Sequence, residues 1–149
     1  MSHMVKINLQ IKDLQALESA CKRLGLQFVE SASLHASRVG GAYVGLTSSG
    51  AETCRARYWG GAVMECDAVI RIPGCNHDIA VRKQDNGCFS LHADFYGQHG
   101  EKVRKAVEQL RQLYAVEVAK KAARRKGYSV YEQECKDGTI RLRISVQGR

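Results

Sequence analysis

The sequence is nearly free of proline and contains no long apolar run. Pro73 is the only proline in 149 residues, and no Pro-rich or Ser-rich linker divides the chain. A single domain over residues 1–149 is therefore predicted, since one domain is commonly of this length. A membrane-spanning helix needs about 20 consecutive apolar residues. No such stretch occurs, so we predict no membrane partner.

A secretion signal is also missing. Residues 1–6 lack the long apolar core that export requires, so we predict a cytoplasmic protein. Cysteines are present, but their spacing is irregular and no Cys-x-x-Cys pair occurs. In a reducing compartment such cysteines are predicted to be free thiols. The six are Cys21, Cys54, Cys66, Cys75, Cys88 and Cys135.

Two cysteine–histidine pairs are candidates for a metal site, but their spacing argues against one. Cys75 and His77 lie on one arm of a predicted hairpin, and Cys88 and His92 lie on the other. Four such ligands could hold zinc tetrahedrally. Cys88 and His92, however, would lie about 13 Å apart along an extended strand, which is too far to share one ion. We therefore predict no metal and no cofactor.

Strong catalytic signatures are absent as well. The paired glycines at 40–41 and 60–61 do not form a phosphate-binding loop, and no GxGxxG precedes a helix. Cys66 beside Asp67 is a candidate nucleophile, and Asp67, Asp78 and Asp94 are candidate paired carboxylates. A buried thiol and turn-bonding aspartates are the favoured interpretation, because no nucleophile motif surrounds them. An enzyme acting on a nucleotide or phosphodiester is kept as a third alternative.

The positive charge of the chain is concentrated in one segment. Lysine and arginine number 23 against 15 acidic residues, which gives a net charge of +8. Residues 101–126 hold nine basic and three acidic residues, so this segment alone carries +6. A localised positive field attracts anions, and nucleotides or nucleic acids are the usual ones.

Hydrophobic periodicity predicts an ordered series of strands and two helices. Residues 5–12 alternate apolar and polar side chains, as a half-buried strand does. Asp13 is predicted to cap a helix that Gly25 ends. Residues 54–61 are predicted to form a loop. Further strands are predicted at residues 27–34, 42–47, 68–72, 78–83, 88–95, 128–134 and 139–146.

A long helix is predicted between Gly100 and Gly127. Its apolar residues form one stripe at helical spacing. The stripe consists of Val103, Ala106, Val107, Leu110, Leu113, Tyr114 and Val118. Together the elements predict an α+β fold: a mainly antiparallel sheet of about five to seven strands, with two helices packed on one face.

Several segments together resemble a known family. They are MSH at residues 1–3, DAVIRIPG at 67–74, ADFYG at 93–97, LYA at 113–115 and KDG at 136–138. The set resembles the hypothetical chloroplast open reading frame 35 family, a domain of unknown function in plastids, bacteria and phages. The resemblance implies a small α+β domain with a long helix. It carries over no catalytic residues.

Two analogies accompany this resemblance. Family members resemble accessory proteins encoded near ring-forming ATPases. Small basic phage domains can also act against host defence by sequestering nucleotide signals. Both are analogies of fold and context. Each suggests a function to test and does not establish the function of this chain.

The basic end of the long helix is the main functional signal. Four of its cations recur at i, i+1, i+4 and i+5 and so share one side. A solvated helix face that complements the helix dipole is the simpler interpretation. We predict a non-enzymatic binding protein for an anionic, nucleotide-containing ligand, such as a nucleotide-sequestering phage protein. The predicted ligand-binding residues are Lys120, Lys121, Arg124 and Arg125, with Arg55, Arg57 and Trp59 as second contributors.

The alternative function is an adaptor subunit of a larger machine such as a ring-forming ATPase. The expected partners are an anionic small molecule or a nucleic acid, and a protein partner or a homo-oligomer is left open. The apolar stripe should face the sheet, which leaves the cationic side in water. Charge reversal at Lys121 and Arg124 is therefore expected to change stability by no more than about 1 kcal/mol.

Overall fold

A computed structural model of the protein describes residues 4–30, 44–46, 52–58 and 62–146. It contains two helices, α1 (Leu14–Arg23) and α2 (Gly100–Arg125). The strands of the first half are β1 (Val5–Ile11), β2 (Gln27–Glu30), β3 (Val44–Leu46), β4 (Glu52–Arg57) and β5 (Val63–Cys66). The strands of the second half are β6 (Ala68–Arg71), β7 (Asp78–Lys83), β8 (Phe89–Ala93), β9 (Ser129–Glu134) and β10 (Ile140–Ser145).

The main sheet has five strands in the order β1-β8-β7-β6-β2, and every pair is antiparallel. The predicted hairpin of β7 and β8 is confirmed. Its turn closes where the amide of Gln84 donates to the carbonyl of Cys88 at 2.7 Å. Gly87 has a φ of 82°, a conformation that glycine adopts without a steric cost.

Side chains on the central strands alternate between two cores. Ile70, Ile79 and Leu91 pack with the two helices in the larger core. Val69 and Ala80 point to the opposite face and belong to a smaller core. The central strands are therefore buried on both faces. The predicted α+β class, with an antiparallel sheet and two helices, is confirmed.

The opposite face of the sheet is covered by a second sheet of three strands, β3-β4-β5. The prediction of a loop over residues 54–57 is therefore wrong, because they belong to β4. Cys54 and Ala56 point into the smaller core, while Arg55 and Arg57 are only half-buried. Small buried residues between arginines give a weak apolar alternation, which explains the error. Trp59 lies outside the described residues.

Helix α1 begins and ends as predicted. The Oδ1 atom of Asp13 accepts from the amides of Gln15 at 3.0 Å and Ala16 at 3.2 Å. These bonds satisfy two amides that have no partner inside the helix. Gly25 follows the helix with a φ of 72°, which ends it without strain.

Helix α2 buries the predicted stripe from Val103 to Tyr114. Val118 is the exception, since it is 37% exposed. It lies eight residues after Leu110, which turns it about 80° away from the centre of the stripe.

Gly100 is buried at the start of the helix, directly beside the backbone of Phe95. Neither helix in the described part of the chain is long and apolar enough to cross a membrane.

Strands β9 and β10 form the second predicted hairpin, which is confirmed. It runs back along α2. The amide of Tyr128 donates to the carbonyl of Ala123 at 3.0 Å, next to the end of the helix. At the other end of the hairpin, Gln112 Nε2 donates to the carbonyl of Gly138 at 3.2 Å. The hairpin is therefore tied to α2 at both ends.

The thiols differ in burial, and this predicts their reactivity. Burial raises the pKa of Cys21 and of Cys66 to about 12, so neither forms the reactive thiolate at neutral pH. Cys88 and Cys135 are only half-buried. We expect Ellman's reagent to titrate Cys88 and Cys135 first in the native protein, and all six thiols after denaturation without reductant. A denatured count below six would show disulfides and contradict the prediction.

Candidate functional site

The basic end of α2 continues the buried stripe instead of pointing away from it. Lys121 lies 18 residues after Val103, which is five full turns, so both residues share one side of the helix. Beyond the apolar core this side faces the start of α1 and the β9–β10 hairpin. The predicted orientation of the cationic side toward water is therefore wrong for its two lysines.

Lys121 binds the junction between β1 and α1. Its Nζ lies 2.8 Å from Asp13 Oδ2 and 2.9 Å from Gln15 Oε1. The hydroxyl of Tyr114, one heptad earlier on α2, accepts from the amides of Lys12 at 2.9 Å and Asp13 at 3.3 Å. The hydrogen bond from Lys121 lowers the pKa of Asp13 below its ordinary value, although burial opposes the shift.

Lys120 belongs to an ion network that joins three elements. Its Nζ lies 3.1 Å from Glu132 on β9 and 3.7 Å from Glu117. Arg23 of α1 pairs with the same two glutamates, at 3.0 Å from Glu117. The hydrogen bond from Arg23 lowers the pKa of Glu132, and the bond from Lys120 adds to the effect. The network therefore connects α1, α2 and β9.

These ion pairs have a pH dependence of known sign. A carboxylate whose pKa is lowered by folding stabilises the fold above its ordinary pKa. That contribution is lost as the pH falls through the lowered value. Asp13 and Glu132 are of this kind, so both pairs weaken in acid. Lys121 is paired with Asp13, so the premise that its charge faces water is wrong. The expected stability change of no more than about 1 kcal/mol on charge reversal stays a prediction.

Arg124 and Arg125 are placed differently. Both are exposed, and neither has a hydrogen-bond or ion-pair partner within the part of the chain that the structure describes. Lys126 follows them and is exposed too. Arg124 also lines a groove of about 250 Å³ between α1 and α2, together with Ser19 and Lys121. Of the four cations predicted on α2, these two arginines remain available to a ligand.

The hairpin adds a second set of available cations. Side chains of β9 and β10 alternate between an inner face, toward α2, and an outer face, toward solvent. The inner face holds Glu132, which binds Lys120, and also Glu134 and Leu142. The outer face holds no carboxylate. Its residues are Ser129, Tyr131, Gln133, Arg141, Arg143 and Ser145.

Tyr131 is the aromatic residue of this outer face. It is 61% exposed and pairs directly with Arg143 across the two strands. Directly paired side chains in an antiparallel pair start about 5 Å apart. Tyr131 also lies only five residues after Lys126, at most about 18 Å along the chain. We call Arg124, Arg125, Lys126, Tyr131, Arg141 and Arg143 the C-terminal basic surface.

Four members of this surface were not among the predicted ligand-binding residues: Lys126 at the end of α2, and Tyr131, Arg141 and Arg143 on the hairpin. The hairpin residues could have been found from the alternation of side chains along each strand, in which every second residue lies on the same face. Arg141 and Arg143 are two residues apart on one strand, so they must share a face, and the register with β9 adds Tyr131. Counting charge along α2 alone could not reveal this.

Arg55 and Arg57 are not brought together with the basic end of α2. They lie on β4, in the small sheet, and the main sheet separates that layer from α2. Arg57 donates to the fully buried Asp78 from Nε at 3.0 Å, Nη2 at 3.1 Å and its amide at 2.9 Å. This pair holds β4 against β7. The role of both arginines in ligand binding stays a prediction.

The candidate catalytic groups bind the backbone. Asp67 accepts from the amide of Lys83 at 2.6 Å, and Asp94 accepts from the amide of Tyr96 at 2.9 Å. Across the described ranges, no group of three histidine, cysteine, aspartate or glutamate residues could hold a metal ion. Aspartates that bond amides in this way match the simpler interpretation of the sequence.

Comparison with known proteins finds one family. The model described as "Protein of unknown function (DUF1257)" matches residues 44–143, which is more than half of the chain. No curated protein and no solved structure matches the chain. The resemblance to the chloroplast open reading frame 35 family stays a prediction.

Proposed function

We propose that this chain, which belongs to the DUF1257 family, binds an anionic, nucleotide-containing ligand on its C-terminal basic surface without transforming it. One observation carries the proposal: Arg141, Arg143 and the exposed Tyr131 share the outer face of the hairpin, and no residue of β9 or β10 on that face is a carboxylate. Every other basic residue of the last two turns of α2 before Lys126 is bound to a glutamate or an aspartate.

The chemistry of the surface fits phosphate and base together. Arginine presents a planar fork of donors that matches phosphate oxygens. A tyrosine beside arginines can stack on a base, and such stacking contributes about 1–3 kcal/mol per base without reading its identity. The outer face of the hairpin is exposed along its length, which supports a strand of several nucleotides better than a single one. The more specific proposal is that the protein sequesters a nucleotide signal by binding it.

The test is an affinity measurement with a charge-matched control. We expect the double change Arg141→Gln and Arg143→Gln to weaken binding of a single-stranded oligonucleotide at least tenfold. The dependence of log affinity on log salt should also flatten by about 1.4, since each lost phosphate contact contributes about 0.7. The control is Lys102→Gln with Lys105→Gln, two exposed cations in the first two turns of α2. Both lie at least about 10 Å along the helix from Gln112, to which the hairpin turn is bonded.

Cyclic dinucleotides should be titrated in parallel, because charge alone does not separate them from oligonucleotides. Tighter binding of a cyclic dinucleotide would favour sequestration of a signal. Equal weakening in the two double variants would mean that only overall charge matters. That result, or a wild-type protein that binds none of these ligands, would contradict the proposal.

A second function, as an adaptor for a protein machine, is supported by a different feature of the same hairpin. Ile144 is 44% exposed and Val146 is 61% exposed, so apolar surface lies at the end of β10. Within the described ranges, β9 and β10 pair only with each other, which leaves each strand with one open edge. Stable co-purification with an ATPase that Ile144→Ser abolishes, without a change in oligonucleotide affinity, would favour this function.

A further inference from the structure

A second cationic cluster lies on the face of the main sheet turned away from the helices, near the edge strand β1. The register places Lys6 opposite His92, and Arg82 opposite Ser90. Ile7 and Leu91 next to them point into the helix core. By alternation, Lys6, Arg82, Ser90 and His92 therefore project from the other face.

Hydrogen bonds hold the centre of this cluster in place. The Oγ of Ser90 lies 2.8 Å from His92 Nε2 and accepts from Gln84 Nε2 at 2.6 Å. Lys6 Nζ in turn donates to Gln84 Oε1 at 3.4 Å. With Nε2 directed at Ser90, Nδ1 is the ring atom left to meet a ligand.

The charge of the cluster is not balanced. In the described part of the chain, no carboxylate lies within ion-pair distance of Lys6, Arg82 or His92. Burial lowers the pKa of His92, and the charges of Arg82 and Lys6 lower it further. The local potential is therefore positive, which favours an anion.

A cavity opens beside these side chains. The register of β1 on β8 shifts between Lys6 and Gln10, so three residues of β1 lie opposite Leu91 alone. Bulges of this kind bend an edge strand and occur often beside functional sites. The cavity at the shift measures about 320 Å³, and Lys6, Gln10 and Ser90 line it.

We infer that the cluster of Lys6, Arg82 and His92 binds a phosphate group, either as free phosphate or as the terminal phosphate of a nucleotide. Lys6, Ser90 and Gln10 line the cavity itself. His92 pairs with Lys6 and Arg82 pairs with Ser90, so both lie next to lining residues on the same face of the sheet. The main sheet lies between this site and α2, so the site is separate from the C-terminal basic surface.

The experiment is a nuclear magnetic resonance titration with inorganic phosphate and, separately, with AMP. We expect saturable shifts of the His92 ring and of the amides of Lys6 and Arg82. Lys6→Gln and Arg82→Gln should each raise Kd at least fivefold. The matched control is Lys83→Gln, because Lys83 is also exposed but projects from the opposite face of the sheet.

The two probes separate the two sources of phosphate. An AMP affinity at least tenfold above that of phosphate assigns the site to a nucleotide, and equal affinities assign it to free phosphate. Shifts that stay linear in concentration, or that weaken equally in Lys83→Gln, would overturn the inference. Oligonucleotide binding at Arg141 and Arg143 is measured separately, so the proposal for either site can be refuted without refuting the other.

Discussion

Replacing Gly100 with alanine should lower the free energy of unfolding by about 3 kcal/mol, the upper end of the usual cost of overpacking. A Cβ at this position would meet the carbonyl oxygen and carbon of Phe95 at 1.9 and 2.6 Å. Both are backbone atoms, so no side-chain rotation relieves the contact. The start of α2 would have to move away from the end of β8.

Helix propensity alone predicts the opposite sign for this change. Alanine is favoured over glycine by about 1 kcal/mol in a helix. Urea unfolding followed by circular dichroism separates the two outcomes. Glu101→Ala, at the neighbouring exposed position, is the control and should change stability by no more than about 0.5 kcal/mol. A Gly100→Ala protein more stable than the wild type would refute the close contact.

Removing the charge of Arg57 should destabilise the protein by about 3–5 kcal/mol, since it leaves the carboxylate of Asp78 buried without its ionic partner. Asp78 is completely buried, whereas the side chain of Arg57 is 25% exposed. Arg57→Met should therefore cost more than Asp78→Asn, because an arginine left alone at this site can still reach water. The two unfolding free energies give the comparison directly.

The double variant Arg57→Met with Asp78→Asn completes the cycle. We expect it to be more stable than Arg57→Met alone, because no buried charge remains and the asparagine oxygen still accepts from the amide of residue 57. A double variant that loses the sum of the two single costs would show that the groups do not interact. Any loss of ligand binding in Arg57→Met should follow the loss of folding.

Much of the fold could be predicted from local signals. Asp13 and Gly25 mark the ends of α1, and Gly87 marks the turn of the β7–β8 hairpin, because each acts on residues within a few positions. Strand β4 could not be predicted, since its buried residues, Cys54 and Ala56, are small and its burial depends on the sheet beneath it.

The candidate site was predictable only in part, because a helical pattern shows which residues share a side but not what that side faces. Lys121 meets Asp13, which lies 108 residues earlier, and no local pattern reveals such a pair. The arginines of β10 were accessible through their alternation, but their freedom from carboxylates depends on the register with β9. Long-range partners thus decided which cations remain available.

The position of β1 in the sheet has a consequence for synthesis on the ribosome. Val5 pairs with Ala93, so β1 emerges long before β8, the strand with which it pairs. At roughly 5–20 residues per second, that delay lasts several seconds. During this time the apolar side of β1 must be kept from forming non-native contacts with other apolar segments. The hairpin of β7 and β8 needs no such wait, so we expect it to form first and to receive β1 afterwards.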